Sequence, residues 1–323
     1  MFGGSVTRAA ERLAGVAHVT SVHTSRLLDE RVGAEVFLKC ENFQRTGSFK
    51  FRGAYNRVAT LLEQGDLRGV IAASSGNHAQ ALALAGRIGG VPVTVLMPED
   101  APPAKREAAA AYGASVETYN RYRDDREQLV AARAAALGYT IVPSSGDPDV
   151  IAGQATATAE ILDWLERRGN PAPATIVVPV AGAGLLSGAL LATDRLDPSP
   201  RIVGVEPESS PDLRESLAAG RIVDVTVGKT ICDALNLSQP SALAFDICRA
   251  RLTANDIVLV SDEDVEVATR FLVTRLKLVV EPSGAAGVAA LLAGKVADVA
   301  GPGVVILSGG NVGPGTLARI LAG

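Results

Sequence analysis

The sequence predicts an α/β protein built on parallel β-sheets. Short apolar runs of strand length alternate with helical segments along most of the 323-residue chain, and several of these runs end in glycine-containing turns that open the next helix. Such alternation requires crossover connections, which are right-handed between parallel strands. Because apolar residues make up 47% of the chain and aromatic residues only 4%, we expect a core of alanine, valine, leucine and isoleucine.

The first half of the chain begins with a predicted helix and an extended arm within residues 1–30. An apolar run at 34–38 predicts a strand, which polar residues and Gly47 end, and a helical pattern resumes after Gly53. The strands predicted next are 69–73, 91–97, 115–119 and 139–142, and the helices between them are 78–87, a segment opened by Pro102-Pro103 and ending near 113, and 124–137. Proline in a first helical turn is a favoured start signal.

The second half repeats this alternation. The predicted strands are 175–180, 201–205, 256–260 and 303–307, and the predicted helices are 150–167, one after the turn 181–184, the charged segment 262–276, and one after Gly284. We expect a smaller lobe at about residues 65–146, inserted within a larger lobe formed by residues 1–64 and 147–323. Since one helix follows Ser308 before the chain ends, we expect no regulatory domain.

Composition excludes several classes of function. The net charge of −4 and the lack of long basic runs argue against a nucleic-acid partner. No apolar stretch is long enough to span a bilayer, and the N-terminus lacks a signal-peptide core, so we expect no membrane partner. The three cysteines, at 40, 232 and 248, have no metal-type spacing and suit reduced thiols in a cytosolic protein.

The stretch 39–55 contains the most informative residue, Lys50, which lies between Phe49 and Phe51 near a loop–helix junction. Low local dielectric disfavours an ammonium group, so a lysine held between aromatic rings can lose its proton and act as an amine nucleophile. The alternative is that Lys50 only extends out of an apolar patch to reach water.

Three glycine-containing turns follow predicted strands, at the sheet edge where α/β proteins bind ligands. The turn 181–184 would direct backbone N–H groups at a phosphate on a helix N-terminus, although it lacks the dinucleotide-binding fingerprint and also fits a plain strand–helix turn. Residues 74–78 are rich in hydroxyl and amide donors and suit a carboxylate. The turn 308–311 places a hydroxyl at the end of a buried strand, or is a turn alone.

Together, these motifs resemble one family. The matching segments are Thr46-Gly-Ser-Phe-Lys-Phe-Arg-Gly-Ala, Ser74-Ser-Gly-Asn-His-Ala-Gln, Met97-Pro-Glu, Ile151-Ala-Gly-Gln, Glu281-Pro-Ser-Gly and Ser308-Gly-Gly-Asn. In order and over nearly the whole chain, they resemble the serine/threonine dehydratase and serine racemase family, which are pyridoxal-phosphate enzymes of fold type II. The resemblance implies a tryptophan synthase β-like fold, with two parallel-sheet α/β lobes and the cofactor, pyridoxal 5′-phosphate, between them.

The resemblance also implies roles for individual residues. Lys50 resembles the Schiff-base lysine that later moves the Cα proton, Asn77 would bond the ring's phenolic oxygen, and Ser308 would face the pyridine nitrogen. The implied cofactor-binding set is Phe49, Lys50, Asn77, Ala181, Gly182, Ala183, Gly184, Leu185 and Ser308, and the expected substrate-binding set is Ser74, Ser75, Gly76, Asn77 and His78. A neutral serine at the pyridine nitrogen makes the ring a weaker electron sink, which suits loss of a β-hydroxyl group.

Two further assignments come from the resemblance. Racemisation needs a second acid or base on the ring face opposite the lysine, and Ser75 stands where racemases carry a serine, although many dehydratases carry it too. A loop hydroxyl that only bonds backbone or substrate carboxylate is the alternative for Ser75. Glu206, Asp212 and the carbonyl of Ser210 resemble the family's divalent-cation site and suit Mg²⁺ or Ca²⁺; otherwise they form a solvated strand end and helix cap.

The chain departs from the family pattern at four places. Ala181 and Ala183 interrupt the consecutive glycines of the phosphate loop; because alanine disfavours positive φ, we expect a loop of different shape or with less room. The usual His-Pro-x-x-x-Pro is Val142-Pro-Ser-Ser-Gly-Asp-Pro148, Asp233-Ala-Leu replaces Asp-Gly-Leu, and an early Thr-Pro is Thr20-Ser21. These changes affect the expected substrate more than the expected chemistry.

The sequence therefore predicts a cytosolic pyridoxal-phosphate ammonia-lyase for L-threonine and L-serine, in which Lys50 removes the Cα proton and water leaves from Cβ. The alternatives are a serine racemase, or a dehydratase of another β-hydroxy amino acid such as 3-hydroxyaspartate. A β-replacement enzyme and a cofactor-binding regulator without turnover are further alternatives. Because fold-type relatives are commonly dimers, we expect a homodimer that binds a small amino-acid substrate.

Overall fold

The computed structural model describes residues 3–74, 76–101, 103–120, 122–194, 196–297, 299 and 301–323. The strands are β1 (Val22–His23), β2 (Val36–Cys40), β3 (Val70–Ala73), β4 (Val93–Pro98), β5 (Ser115–Tyr119), β6 (Thr140–Ile141), β7 (Thr175–Pro179), β8 (Arg201–Pro207), β9 (Ile257–Val260) and β10 (Gly303–Leu307). The helices are α1 (Gly3–Leu13), α2 (Arg26–Val32), α3 (Lys50–Gln64), α4 (Asn77–Gly89), α5 (Pro103–Ala111), α6 (Arg126–Leu137), α7 (Pro148–Arg167), α8 (Gly184–Thr193), α9 (Asp212–Ala219), α10 (Ala242–Arg249), α11 (Asp262–Phe271), α12 (Pro282–Leu292) and α13 (Pro314–Ala322).

The strands form two sheets. The larger has six strands in the order β1-β2-β10-β7-β8-β9, and only the pairing of β1 with β2 is antiparallel. The smaller has four parallel strands in the order β5-β4-β3-β6. The predicted α/β fold with two largely parallel sheets is therefore confirmed. The four-stranded sheet lies between residues 70 and 141, inside the segment we expect to form the smaller lobe.

Helices cover both faces of the six-stranded sheet. Alternate residues of one strand point to opposite faces, so Val305 and Leu307 of β10 pack in the cluster that contains α11 and α12. Val304 and Ile306 pack in a second cluster, with α7, α8 and α10. Continuous apolar strands are what a parallel sheet with two covered faces requires.

Two glycines set the distance between α3 and α7. A Cβ atom on Gly53 of α3 would lie 2.7 Å from the carbonyl oxygen of Val150, and one on Gly153 of α7 would lie 2.5 Å from that of Arg52. The two helices are thus in backbone contact, which glycine alone permits. Since Lys50 is the first residue of α3, this contact helps to fix its position.

Several predicted elements differ from those observed. The segment expected to be an extended arm contains α2, which Ser25 caps by accepting from the Leu28 amide at 3.4 Å and Gly33 ends in a left-handed conformation, φ 79°. The charged helix predicted at 262–276 changes to a π-helical turn after Phe271. The predicted helix start at Pro102 lies outside the described residues; α5 begins at Pro103. None of the helices that the structure describes is long and apolar enough to cross a membrane.

Candidate active site

The main candidate residues lie at one edge of the six-stranded sheet. The stretch that leads to Lys50 follows β2, Ser308 follows β10, and the turn 181–184 follows β7. These three strands are adjacent and parallel, so the segments that follow them meet at the same edge. An isolated antiparallel bridge joins Ser48 to Gly309, and the Phe49 amide donates to the Ser308 carbonyl at 3.1 Å.

Lys50 is half-buried at the start of α3. Its Nζ donates to the carbonyl oxygen of Ser144 at 2.9 Å and lies 5.1 Å from the centroid of the Phe49 ring. Burial lowers the pKa of Lys50 to about 8. About a tenth of this amine is therefore unprotonated at pH 7 and about half at pH 8, far more than for an ordinary lysine, and the unprotonated form is what a nucleophile or general base requires.

The turn after β7 forms an anion cradle at the N-terminus of α8. Gly182 and Ala183 both adopt the left-handed conformation, with φ 58° and φ 60°. Among the described residues, the buried amides of 182–185 find no hydrogen-bond partner, so they are available to a ligand. Such amides at a helix N-terminus fit a phosphate group. Ala183 reaches the left-handed turn at a cost of roughly 1–2 kcal/mol, so the alanine strains the turn without preventing it.

Asn77, at the start of α4, is held at both ends of its side-chain amide. Its Nδ2 donates to Glu281 Oε1 at 2.7 Å, and its Oδ1 accepts from Asn311 Nδ2 at 2.8 Å. Asn311 Nδ2 also donates to the Thr46 carbonyl at 2.7 Å. Burial raises the pKa of Glu281 to about 7. Four separate segments therefore meet at this amide.

The predicted carboxylate cradle at 74–78 is described in part. Ser75 lies outside the described residues, so its predicted role in racemisation has no structural account here. Ser74 Oγ accepts from the Gly76 amide at 3.3 Å. His78 Nε2 lies 2.9 Å from the Val142 carbonyl, and its buried Nδ1 has no partner among the described residues. Burial lowers the pKa of His78 to about 4, so the ring is neutral.

Ser308 is buried, with 5% of its surface exposed, directly after β10. A Cβ atom on the next residue, Gly309, would lie 2.2 Å from Glu281 Oε1, which is a collision. Glycine is therefore needed for the chain to pass Glu281 while it presents Ser308.

The three residues predicted to hold a cation are all fully buried. Glu206 accepts from the amides of Leu213 and Arg214 at 2.8 and 3.1 Å, while both carboxylate oxygens of Asp212 lack partners among the described residues. Burial raises the pKa of Asp212 to about 7, and burial and the neighbouring Asp212 raise that of Glu206 well above its usual value. No group of three or more His, Cys, Asp or Glu side chains with metal-binding geometry occurs in the part of the chain described.

Some site contacts had no role assigned from the sequence. Glu281 and Asn311 both belong to motifs that resemble the family. The signal for Glu281 is a carboxylate directly after an apolar pair of residues, and the signal for Asn311 is an asparagine directly after Gly-Gly. Ser144, through its carbonyl, had no sequence signal. Lys105 and Asp233 form an ion pair, with Nζ and Oδ2 2.6 Å apart. Neither residue shows in the sequence that it pairs with the other.

Comparison with known proteins gives the family. Residues 14–309 match the family model described as "Pyridoxal-phosphate dependent enzyme". L-threo-3-hydroxyaspartate ammonia-lyase of Saccharomyces cerevisiae is 43% identical over 320 residues, 99% of this chain and 96% of that protein. Serine racemase of Schizosaccharomyces pombe is 41% identical, covering 95% of this chain and 93% of that protein.

A solved structure agrees. The serine racemase of maize superposes with a TM-score of 0.90 at 34% identity, covering 99% of this chain and 96% of that one. The buried amides after β7 and the Lys50 amine are the groups that a phosphate-bearing aldehyde cofactor needs. This chain belongs to the family of pyridoxal-phosphate-dependent enzymes, with the fold type II architecture.

Proposed function

We propose that this chain is a pyridoxal-phosphate-dependent ammonia-lyase that converts L-threonine and L-serine to a 2-oxo acid and ammonia. The observation that carries the proposal is the Lys50 amine, whose pKa burial lowers to about 8, at the same sheet edge as the unpaired amides of 182–185. Relatives named as ammonia-lyases, which match nearly the whole chain, support it.

The residues present fit the cofactor. The amides of 182–185 would hold its phosphate, Lys50 would bond its aldehyde carbon, and Asn77 would donate to its phenolic oxygen. Ser308 would offer a neutral hydroxyl to the pyridine nitrogen. When bound, pyridoxal phosphate supplies an electron-withdrawing ring, conjugated with the substrate nitrogen, that acidifies the Cα–H bond.

The chain's own groups then move the protons. Lys50, as a neutral amine, takes the Cα proton, and the Ser144 carbonyl at 2.9 Å orients its Nζ. The neutral His78 adds no positive charge beside that amine. The hydroxyl group leaves Cβ with a proton, so the substrate loses one molecule of water. The enamine released is hydrolysed by a second water to the 2-oxo acid and ammonia.

A panel of β-hydroxy amino acids tests the proposal. Holoenzyme is incubated with L-serine or L-threonine, and pyruvate or 2-oxobutyrate and ammonia are measured. We expect one 2-oxo acid and one ammonia per substrate consumed. Lys50→Ala is the matched control and should lower kcat by about 10³-fold or more, because it removes the proposed base. Holoenzyme that forms neither product contradicts the proposal.

L-threo-3-hydroxyaspartate is a second candidate substrate, which one contact favours. Lys105, in the first turn of α5, pairs with Asp233 across 2.6 Å, and the amide of the next residue, Ala234, donates to Ser283 Oγ at 3.1 Å. Ser283 lies two residues after Glu281, at the start of α12. The ammonium of Lys105 is thus close to the proposed site and could exchange the Asp233 carboxylate for the second carboxylate of such a substrate.

Replacement of Lys105 separates the two candidates. We expect Lys105→Met to raise KM for L-threo-3-hydroxyaspartate by roughly tenfold or more and to leave KM for L-serine within about twofold, because only the first substrate carries a second carboxylate. Asp233→Asn, which removes the competing carboxylate, should lower KM for L-threo-3-hydroxyaspartate. Equal changes for both substrates would assign the ion pair to protein structure alone.

Racemisation is measured in the same reactions. The alternative of a serine racemase, supported by the relative from Schizosaccharomyces pombe, predicts D-serine as a product. Chiral analysis of the serine that remains, with Ser75→Ala as the comparison, shows whether Cα is reprotonated on the opposite face. Formation of pyruvate without D-serine supports elimination alone.

A further inference from the structure

The segment that joins β6 to α7 lies between Lys50 and the turn 181–184. The Ser144 carbonyl accepts from Lys50 Nζ at 2.9 Å and from Gln154 Nε2 at 3.4 Å. The following residue, Ser145, contacts the turn: a Cβ atom on Gly182 would lie 2.6 Å from Ser145 Oγ. The two consecutive serines therefore touch the two parts of the site that would hold opposite ends of the cofactor.

Ser145 also borders the first residue of α8. A Cβ atom on Gly184 would lie 3.1 Å from Ser145 Cβ. The absence of side chains at both glycines is thus what admits the serine side chain to the turn. Any larger residue at Gly182 would displace the hydroxyl group.

The hydroxyl of Ser145 is uncommitted. In the parts of the chain that the structure describes, its Oγ has no hydrogen-bond partner, and the residue is half-buried. By contrast, Ser241 Oγ donates to the Gly182 carbonyl at 2.9 Å, so that neighbouring hydroxyl is already used to hold the turn. The alanine methyl groups at 181 and 183 add no donors.

We propose that Ser145 Oγ donates a hydrogen bond to the phosphate of the cofactor, as a ligand additional to the amides of 182–185. A dianionic phosphate is the guest that a helix N-terminus and unpaired amides favour, and a free hydroxyl in contact with the same two glycines adds a donor to that set. This proposal rests on the proposed function, in which pyridoxal phosphate binds at this site. Turnover by the wild-type enzyme tests the proposed function by itself.

The experiment compares two forms of the cofactor that differ only in the phosphate. The resident cofactor is removed, and the Kd values of pyridoxal phosphate and of pyridoxal are measured by absorbance titration of wild-type and Ser145→Ala apoprotein. A hydrogen bond to a charged group corresponds to roughly a 10- to 100-fold change in affinity. We therefore expect Ser145→Ala to raise the Kd of pyridoxal phosphate by that factor and to change the Kd of pyridoxal by less than about twofold.

Two results would overturn the proposal: an unchanged Kd for pyridoxal phosphate, or an equal weakening of both forms. The second would indicate a general disturbance of the site. Ser199→Ala is the matched control, since Ser199 Oγ donates to the Thr193 carbonyl at 3.3 Å, at the far end of α8. The ³¹P resonance of bound cofactor gives a readout independent of affinity and of turnover, and it should shift in Ser145→Ala but not in Ser199→Ala.

Discussion

Asn77 Nδ2 donates to Glu281 Oε1 at 2.7 Å, and this contact joins the two sheets. Asn77 opens α4, which follows β3 of the four-stranded sheet, whereas Glu281 precedes α12, which packs on the six-stranded sheet. With Asn311 donating to Asn77 Oδ1, the amide has one orientation. One N–H of Nδ2 then remains for the phenolic oxygen of the cofactor, which we propose that Asn77 binds. In that proposal Glu281 would be a positioning residue, acting through Asn77.

The first prediction concerns Glu281→Gln. Burial raises the pKa of Glu281 to about 7 in the folded chain, from 4.5. Between these two values the folded state binds a proton that the unfolded state has lost, so wild-type stability falls as pH rises through this window. Glutamine still accepts from Asn77 but does not titrate. Urea unfolding of apoprotein should therefore show Glu281→Gln gaining stability relative to wild type between pH 4 and pH 8, on the order of 3 kcal/mol.

If the difference in stability between Glu281→Gln and wild type stayed constant across that pH range, the raised pKa of Glu281 in the folded chain would be contradicted. Asp262→Asn provides a comparison of the same charge change, because Asp262 is half-buried and bonds the backbone and side chain of a different segment, at Ile231 and Thr230. It should not reproduce the same gain in stability at high pH.

The fold was predictable where burial dictates residue type. Strands covered on both faces, such as β10, are continuous apolar runs, and their bounds followed from the sequence within a few residues. The seven-residue α2 was not predicted, because its polar flanks have the composition of a loop and its start depends on the Ser25 cap. The end of α11 at Phe271 depends on packing and the left-handed turn at Lys277, which local sequence does not specify.

For the candidate site, the sequence indicates which segments come together but not which side chains contact each other. Lys50 and the turns 181–184 and 308–311 could be grouped because segments that follow adjacent parallel strands meet at one edge, whereas the turn 74–78 follows β3 of the other sheet. The partners of Asn77 could not be predicted from the sequence. Glu281 lies 204 residues away along the chain, and its contact with Asn77 depends on how the two sheets face each other. Lys105 and Asp233, 128 residues apart, were missed for the same reason.

The second prediction concerns the amine of Lys50 in apoprotein. Because burial lowers its pKa to about 8, competitive acetylation followed by mass spectrometry should show its reactivity rising through pH 8. The exposed Lys229 serves as the internal reference for the reagent. If the reactivity of Lys50 rises over the same pH range as that of Lys229, then Lys50 is solvated like a surface residue. The assignment of Lys50 as a neutral base at pH 7–8 then fails.

The third prediction concerns the buried pair Glu206 and Asp212. The two carboxylate oxygens of Asp212 have no partner among the described residues, and the buried carboxylate of Glu206 lies beside them. Because two buried carboxylates repel each other, a divalent cation should stabilise the folded chain by binding between them. We expect Mg²⁺ or Ca²⁺ at millimolar concentration to raise the Tm of the holoenzyme by several degrees, and Asp212→Asn to abolish that rise. Differential scanning fluorimetry with and without a chelator measures it. An equal rise in Asp212→Asn would place the cation elsewhere.

The fourth prediction concerns the charged cluster behind Lys50. Arg52, fully buried two residues after Lys50, donates Nε to Glu41 Oε2 and Nη1 to Glu160 Oε1, both at 2.7 Å. Lys39 Nζ also donates to Glu160, at 2.7 Å. Two cations thus balance two carboxylates, and the cluster ties the first turn of α3 to the rest of the large sheet.

Arg52→Met removes one cation and leaves a buried carboxylate without its partner, so it should cost about 3–5 kcal/mol of unfolding free energy in urea. Arg52→Met combined with Glu41→Gln restores the charge balance and should recover part of that loss, because Lys39 and Glu160 still pair. The double variant separates buried charge from lost packing. If it is no more stable than Arg52→Met, the arginine acts through its shape and hydrogen bonds, and its charge contributes little to holding the start of α3.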